Sequence, residues 1–418
     1  MRNCTSFCGR ALVGAFAAGV LMISAADAAV TKGPVTDEIG VLVVPKGAPL
    51  VVGSYWVMSG ADAALGIDEK RGAEIAIKDH GGSLLGHPIK LITEDSGCNA
   101  EGGQTAATKL ASHPELVAVI GPACSSEATP GAPILWKAGI INICTACTAP
   151  SLTAPDRKPD YAGFLRTVYS DSDQGLYDAK YASEVLKAKT VVTVHDGSPY
   201  AQQLSAVMGK NFTSMGGKVL SQEAVAPTDV DMHPLLTRIA SEKPDVLYFP
   251  VFIAAGAQIL RQAKTTPGLE KTVLLGGSSL MAADFIEAAK DAVVGFHFTY
   301  PDVSDAALGK GYPAFVEKYK KAYGEGPTSG FHANAYDAAE LVFRAVEKVA
   351  VKDSKGDLYI GRKALRDAAF AVRFDGISGP IACDPYGECA KFKPAVYEFT
   401  SADPKSFKIG TNPKKIWP

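Results

Sequence analysis

An excess of charge of either sign is missing from this sequence. Its 42 Lys and Arg are set against 44 Asp and Glu over 418 residues, a formal net charge of −2. The two signs are interspersed rather than blocked, so nothing points to nucleic acid or to an anionic membrane surface as a partner. Reactive signatures are missing as well. Seven histidines are present, yet none stands in HExxH or beside a G-x-S-x-G elbow. There is no Walker sequence G-x-x-x-x-G-K-[ST] and no G-x-G-x-x-G in a convincing setting. Beyond the first thirty residues no apolar run is long enough to cross a bilayer. These absences argue against an enzyme and leave no cofactor and no metal to expect.

What is present begins with an export pattern. Arg2 and Arg10 bracket a short positive region, ALVGAFAAGVLMISAA supplies an apolar stretch, and Ala26-Asp27-Ala28 gives a small-x-small cleavage site. Residues 1–28 read as a signal peptide removed after Ala28, which makes the mature protein an exported, soluble one. Cysteine usage agrees. Cys4 and Cys8 leave with the signal, and Cys98, Cys124, Cys144, Cys147, Cys383 and Cys389 remain, an even set suited to disulfides in an oxidising compartment. Spacing suggests the pairs Cys98–Cys124, Cys144–Cys147 and Cys383–Cys389. The first would close a loop of about 25 residues and contribute roughly 3 kcal/mol. A zinc site built from CTAC and CDPYGEC is the alternative, but no companion histidine sits at ligand spacing.

With 47% hydrophobic residues the chain can bury a core large enough for two lobes. Residues 29–49 read as an N-terminal extension with one edge strand, IGVLVV. From PLVVGSYWVMSG onward, strands and helices alternate: GAEIAIKDHGG is helical, HPIKLITED extended, TAATKLASH helical, LVAVIG extended, PILWKAG helical and IINI extended. The cycle then repeats, from the helix YDAKYASEVLKA and the strand TVVTVHD to TVLLGGSS. Such alternation predicts α/β architecture, two doubly wound parallel-sheet lobes with helices on both faces. Three further helices follow, GYPAFVEKYKKAYG, NAYDAAELVFRAVEKVA and GRKALRDAAFAV, and then a hairpin-like unit over FDGISGPIACDPYGECAKFKPAVYEFTS.

Ligands of open parallel sheets sit beyond the carboxyl ends of the strands. Here those ends are MSGADAALG, GPACSS, CTACTAPSLT, HDGSPYAQ, FPVFIAAG and GGSSLM, which are small, hydroxylated or aromatic. In GPACSSEATP, Ser125 and Ser126 stand where a helix should open, and a helix N-terminus favours a carboxylate or phosphate. The plainer role for the two serines is helix capping. His195-Asp196 and the CxxC of Cys144 and Cys147 could be read as reactive pairs. Turn-shaping hydrogen bonds and a structural disulfide explain them with less.

These stretches in order resemble the periplasmic leucine/isoleucine/valine-binding proteins of bacterial ABC importers, over roughly Val51 to Phe399. MSGADAALG, EDSGCN, VIGPACSS, CTAPSLT, LRTVYSDSDQG, VVTVHDGSPYAQ, ILRQAK and FDGISGPI carry the likeness. The resemblance implies a type I periplasmic-binding fold with crossings near residues 170, 300 and 377. Lobe 1 would then hold 50–169 and 301–377, and lobe 2 would hold 170–300 and 378–418. It implies a Cys98–Cys124 disulfide and a ligand carboxylate held by Ser125, by the Ala146 backbone and by the Thr148 hydroxyl. Ser126 would lie beside the site. Tyr200 would close over the ligand, Phe252 would supply a second aromatic and Leu65 a pocket wall. Where family members carry an acid for the ligand's ammonium, this chain has Ser278. The expected ligand is a small carboxylate, foremost a branched-chain or other hydrophobic amino acid. The alternative is a non-amino acid such as an aromatic acid, unless Asp284 or Asp302 replaces the missing anchor. The partner implied is a membrane ABC permease, served by a monomer. A ligand-sensing receptor module is the rival from another class.

Overall fold

The computed structural model describes residues 29–304 and 307–418. The expected signal peptide, 1–28, lies outside the described residues. Val30–Lys32 (β1) and Val35–Asp37 (β2) form a short hairpin, and Val41–Val44 (β3) follows. The first lobe then runs Leu50–Trp56 (β4), Ala63–Asp79 (α1), Ser83–Leu84 (β5), His87–Asp95 (β6) and Ala100–Ala111 (α2). It continues with Leu116–Ile120 (β7), Ser125–Lys137 (α3), Ile141–Cys144 (β8) and Phe164–Arg166 (β9). The second lobe opens with Asp171–Lys180 (α4), Thr190–His195 (β10), Pro199–Ser214 (α5), Lys218–Ala224 (β11) and His233–Glu242 (α6). Val246–Phe249 (β12), Ile253–Ala263 (α7), Val273–Gly276 (β13), Ala283–Ala289 (α8) and His297–Pro301 (β14) complete its repeat. Tyr312–Tyr323 (α9), His332–Val349 (α10), Val351–Lys352 (β15), Leu358–Gly361 (β16) and Arg362–Ala371 (α11) return to the first lobe. Arg373–Asp375 (β17), Pro380–Ala382 (β18), Pro394–Glu398 (β19) and Lys414–Trp417 (β20) come last.

The result is the expected α/β architecture. The first sheet has strand order β5-β6-β4-β7-β8-β9, and the second β11-β10-β12-β13-β14-β19-β20. Pairings are parallel from β6 to β9 and from β11 to β14, with antiparallel strands added only at the edges. The central strands β4, β7 and β12 are buried at every position. That is why LVVGSYW, LVAVI and VLYF read as unbroken apolar runs: helices cover both faces of the sheet and leave no solvent side to encode.

Three details differ from the sequence reading. GPACSSEATP and PILWKAG, read as a helix start and a separate helix, form one helix that opens at Ser125 as expected and runs through Pro130 and Pro133. Propensity argues against a helix there, but Glu127 at its third position caps the backbone N–H of Cys124 and fixes the start. The N-terminal extension is more than an edge strand. β3 pairs antiparallel with β16, and the Asp37 carboxylate accepts from Lys363 and Ala364 N–H at the start of α11. Last, the segment after 377 is shared between lobes. β19 and β20 join the second sheet, while Gly387 and Cys389 bond the backbone of Arg166 at the edge of the first.

The six cysteines pair as Cys98–Cys124, Cys144–Cys147 and Cys383–Cys389. Among the described residues no group of His, Cys, Asp or Glu is arranged to hold a metal.

Candidate functional site

Both sheets direct the carboxyl ends of their strands at the gap between the lobes. Leu65 from the start of α1, Ser125 after β7, and Ala146 and Thr148 after β8 meet Tyr200, Phe252 and Ser278 from the second lobe around one tight cavity with about 20 Å³ of free room. Ala123, Cys124, Ser279 and Phe331 complete the lining. Ser126 is set apart. Its hydroxyl donates to the Cys98 carbonyl oxygen at 2.7 Å, so it braces the disulfide loop and does not line the cavity. Asp284 and Asp302 do not line it either, and Asp302 is paired with Lys415 at 2.8 Å.

Glu127 organises the turn that presents Ser125. Its carboxylate accepts from Ser96 Oγ at 2.6 Å, Cys98 N–H at 2.7 Å and Cys124 N–H at 2.8 Å. Full burial pushes its carboxyl up to about 7 despite those donors. Ser125 Oγ accepts from Ala149 N–H at 3.1 Å. Because that bond uses a lone pair, the hydroxyl hydrogen is left to donate elsewhere. The first N–H groups of α3 likewise have no acceptor within the helix. A carboxylate oxygen at this end of the cavity would meet donors and the positive end of a helix dipole.

Across the same end, Thr148 is tied twice to Asp171, the first residue of α4. Its hydroxyl donates to Asp171 Oδ2 at 2.8 Å, and Asp171 N–H donates to its carbonyl at 2.9 Å. The loop itself is gripped from behind by Arg166, which donates to the carbonyls of Cys147 and Ala149, to Thr153 and to Glu388.

The second lobe offers hydroxyls and rings. Tyr200 Oη lies 3.4 Å from Ser278 Oγ and 3.3 Å from Ser279 Oγ. Its ring packs against Phe252 at 5.5 Å between centroids, and burial pushes its phenol well up. No carboxylate lines this wall. His195 and Asp196 serve their own turn. His195 Nδ1 accepts from Gly197 N–H, while Asp196 accepts from Ser198 and from Phe252 N–H.

The lobes are closed. Asp62 at the head of α1 accepts from Ile253 N–H at the start of α7 at 3.2 Å, and Ser151 exchanges two hydrogen bonds with Gln203 at 3.0 and 2.9 Å. Burial in this closed arrangement pushes the Asp62 carboxyl up to about 6, with Asp196 and Asp284 adding repulsion. A carboxyl raised on closure favours the closed form fully below its ordinary range, and that advantage is gone once pH has risen through about 6. Asp62→Asn keeps the acceptor and removes the charge. We expect it to tighten ligand binding at neutral pH by about three- to tenfold and to abolish any change in affinity between pH 4 and 6, measured by calorimetric titration.

Comparison with known proteins now places the chain. Residues 49–391 match the family described as periplasmic binding protein. The chain belongs to that family. The Leu/Ile/Val-binding protein BraC3 of Rhizobium johnstonii is 30% identical over 303 residues, which covers 72% of this chain and 80% of BraC3. Among solved structures of the family, a leucine-binding protein of Thermotoga maritima superposes with a TM-score of 0.75 at 26% identity, covering 84% of this chain and 96% of its own. A solute-binding protein of an R. palustris ABC transporter, solved in complex with benzoate, gives 0.71 at 23% identity, covering 88% and 96%. Periplasmic binding proteins are solute-binding proteins rather than enzymes. No helix among the described residues of this one is long and apolar enough to cross a membrane.

Three residues that shape the site escaped the sequence reading. Glu127 carried a signal, an acid at the third helical position, but with cysteine rather than serine as its cap. Asp171 opened a helix after Ser170 and went unassigned within YSDSDQG. Arg166 had no local signal at all, because its ion-pair partner Glu388 lies 222 residues away.

Proposed function

We propose that this periplasmic binding protein is the solute receptor of an ABC importer. It takes a small carboxylate with an apolar body into the interlobe cavity and delivers it, as a periplasmic monomer cleaved after Ala28, to the membrane permease. The carboxylate end is supported by Ser125, whose hydroxyl hydrogen is free beside the N-terminus of α3. Thr148 and the Ala146 backbone flank it, while Leu65, Tyr200, Phe252 and Phe331 wall the apolar body.

The polar groups that face the rest of the ligand are the hydroxyls of Tyr200, Ser278 and Ser279. A buried ammonium without a counter-charge costs several kcal/mol. This favours a carboxylic acid that carries no amino group, aromatic or branched aliphatic, and the R. palustris neighbour was solved with benzoate. Kinship with Leu/Ile/Val-binding proteins favours the second reading, a branched-chain amino acid.

A thermal-shift screen separates the two. Ligand at about 100 times its Kd adds roughly 2.7 kcal/mol to stability. Benzoate and 4-methylvalerate, the desamino relative of leucine, are expected to stabilise the protein more than L-leucine does. Stronger stabilisation by L-leucine would restore the amino-acid reading, and no stabilisation by any of the three would remove the carboxylate reading.

A further inference from the structure

We infer that Asp171 is a positioning residue that sets which way the Thr148 hydroxyl points, making carboxylate recognition depend on a proton held at Asp171. This rests on the carboxylate reading of the same cavity.

Thr148 has a single hydroxyl hydrogen. With Asp171 ionised, that hydrogen is drawn to Asp171 Oδ2, 2.8 Å away, and only oxygen lone pairs face the cavity. They would oppose a ligand carboxylate. With Asp171 protonated, the acid can donate to Thr148 Oγ1, and the threonine hydrogen turns to the ligand. The geometry around Asp171 suits the protonated form. The residue is fully buried, and its Oδ1 has no hydrogen-bond partner among the described residues. An ionised carboxylate bears such an unmet oxygen poorly.

The groups around it do not supply a free cation. Arg166 lowers the affinity of Asp171 for a proton, but its two terminal nitrogens donate to Glu388, Thr153 and two carbonyls, and its Nε, which has no partner among the described residues, makes no bond to Asp171. Glu388 and Asp178 add negative charge. Tyr169, Tyr200 and Tyr248 face it as neutral phenols that burial pushes far above the usual range. Burial outweighs the Thr148 bond and the Arg166 charge, and the Asp171 carboxyl rises to about 8.

The sign follows. A carboxylate ligand binds the protonated form better, so Asp171 keeps its proton to higher pH in the complex than in the free protein. Affinity is then flat between about pH 6 and 7 and falls as pH rises past about 8, approaching tenfold per unit. Proton uptake per bound ligand rises from near zero at pH 6 toward one at pH 9. A ligand ammonium on Thr148 would give the opposite slope. Asp62 titrates below this window.

The test is calorimetric titration of the purified protein with benzoate and 4-methylvalerate from pH 6 to 9.5, in two buffers of different ionisation enthalpy. The wild type is expected to lose about tenfold in affinity between pH 8 and 9.5 and to take up a proton on binding. Asp171→Asn, whose amide can donate to Thr148 at every pH, is expected to bind with a flat profile and no uptake. A flat wild-type profile, or an alkaline fall in Asp171→Asn equal to that of the wild type, overturns the inference. The wild-type profile alone decides it if the variant fails to fold. Absence of binding by either acid at pH 6 would remove the carboxylate reading itself, and this inference with it.

Discussion

Alanine at both Ser125 and Thr148 is expected to weaken carboxylate binding by at least about a hundredfold while the protein stays folded. Each hydroxyl donates to a charged group, and such hydrogen bonds contribute about 1.5–3 kcal/mol. Two of them amount to roughly 3–6 kcal/mol, or about 10²–10⁴ in Kd. The cost to the fold is smaller and has named causes. Ser125→Ala leaves Ala149 N–H without the oxygen it now meets at 3.1 Å, and Thr148→Ala leaves Asp171 Oδ2 without the hydroxyl it now meets at 2.8 Å. Ser125 opens α3 and Thr148 lies on the loop after β8, both beyond strand ends, so the sheets keep their pairing. Calorimetric titration with the best ligand from the screen reads the binding loss, and a melting curve reads the fold. Affinity within threefold of wild type in the double variant would mean that the carboxylate is held elsewhere. Ser126→Ala is the internal control. Its hydroxyl serves the Cys98 carbonyl, so stability should drop by about 1 kcal/mol with little change in Kd.

The parts of this molecule that could be read in advance are those whose cause is local. Parallel strands buried on both faces need continuous apolar runs, so LVAVI and VLYF announce themselves and the two-cycle alternation follows. The place of the candidate site, beyond the strand ends, was legible for a related reason. A parallel sheet collects its strand ends on one edge, and GPACSS, CTACTAPSLT and HDGSPYAQ stood at those ends with hydroxyls and rings. Which of those residues face the cavity was legible mainly through the family likeness, and Ser126 shows its limit: adjacent serines on a helix start point in different directions. What stayed hidden depends on distant pairing. The extension over 29–49 looked separable until β3 met β16, more than three hundred residues away, with Asp37 serving the start of α11. The buried carboxyls of Glu127 and Asp171 look like surface acids in the sequence, and only the packing around them makes them structural.

Arg166 puts a value on that hidden layer. It is fully buried, and its two terminal nitrogens donate to the carbonyls of Cys147 and Ala149, to Thr153 Oγ1 and to Glu388 Oε2, at 2.6 to 3.2 Å. It thereby joins the loop that carries Ala146 and Thr148 to the C-terminal segment that Cys383–Cys389 closes. Arg166→Met fills much of the same volume and removes every donor. It leaves two buried carbonyls unpaired and strips Glu388 of its ion partner, an arrangement that typically costs about 3–5 kcal/mol. Denaturant unfolding should show that loss as a lower midpoint with unchanged slope. Ligand affinity should fall with it even where the protein is fully folded, because Thr148 is presented by the loop that Arg166 anchors. Lysine does not rescue this, since one ammonium cannot satisfy partners spread along a planar fork. Glu388→Gln, which keeps an acceptor for the fork, should cost much less. If Arg166→Lys matches wild type in both unfolding and binding, the loop is held by its disulfide and strand contacts alone. The Asp171–Thr148 pair would then owe its geometry to α4 rather than to the Arg166 network.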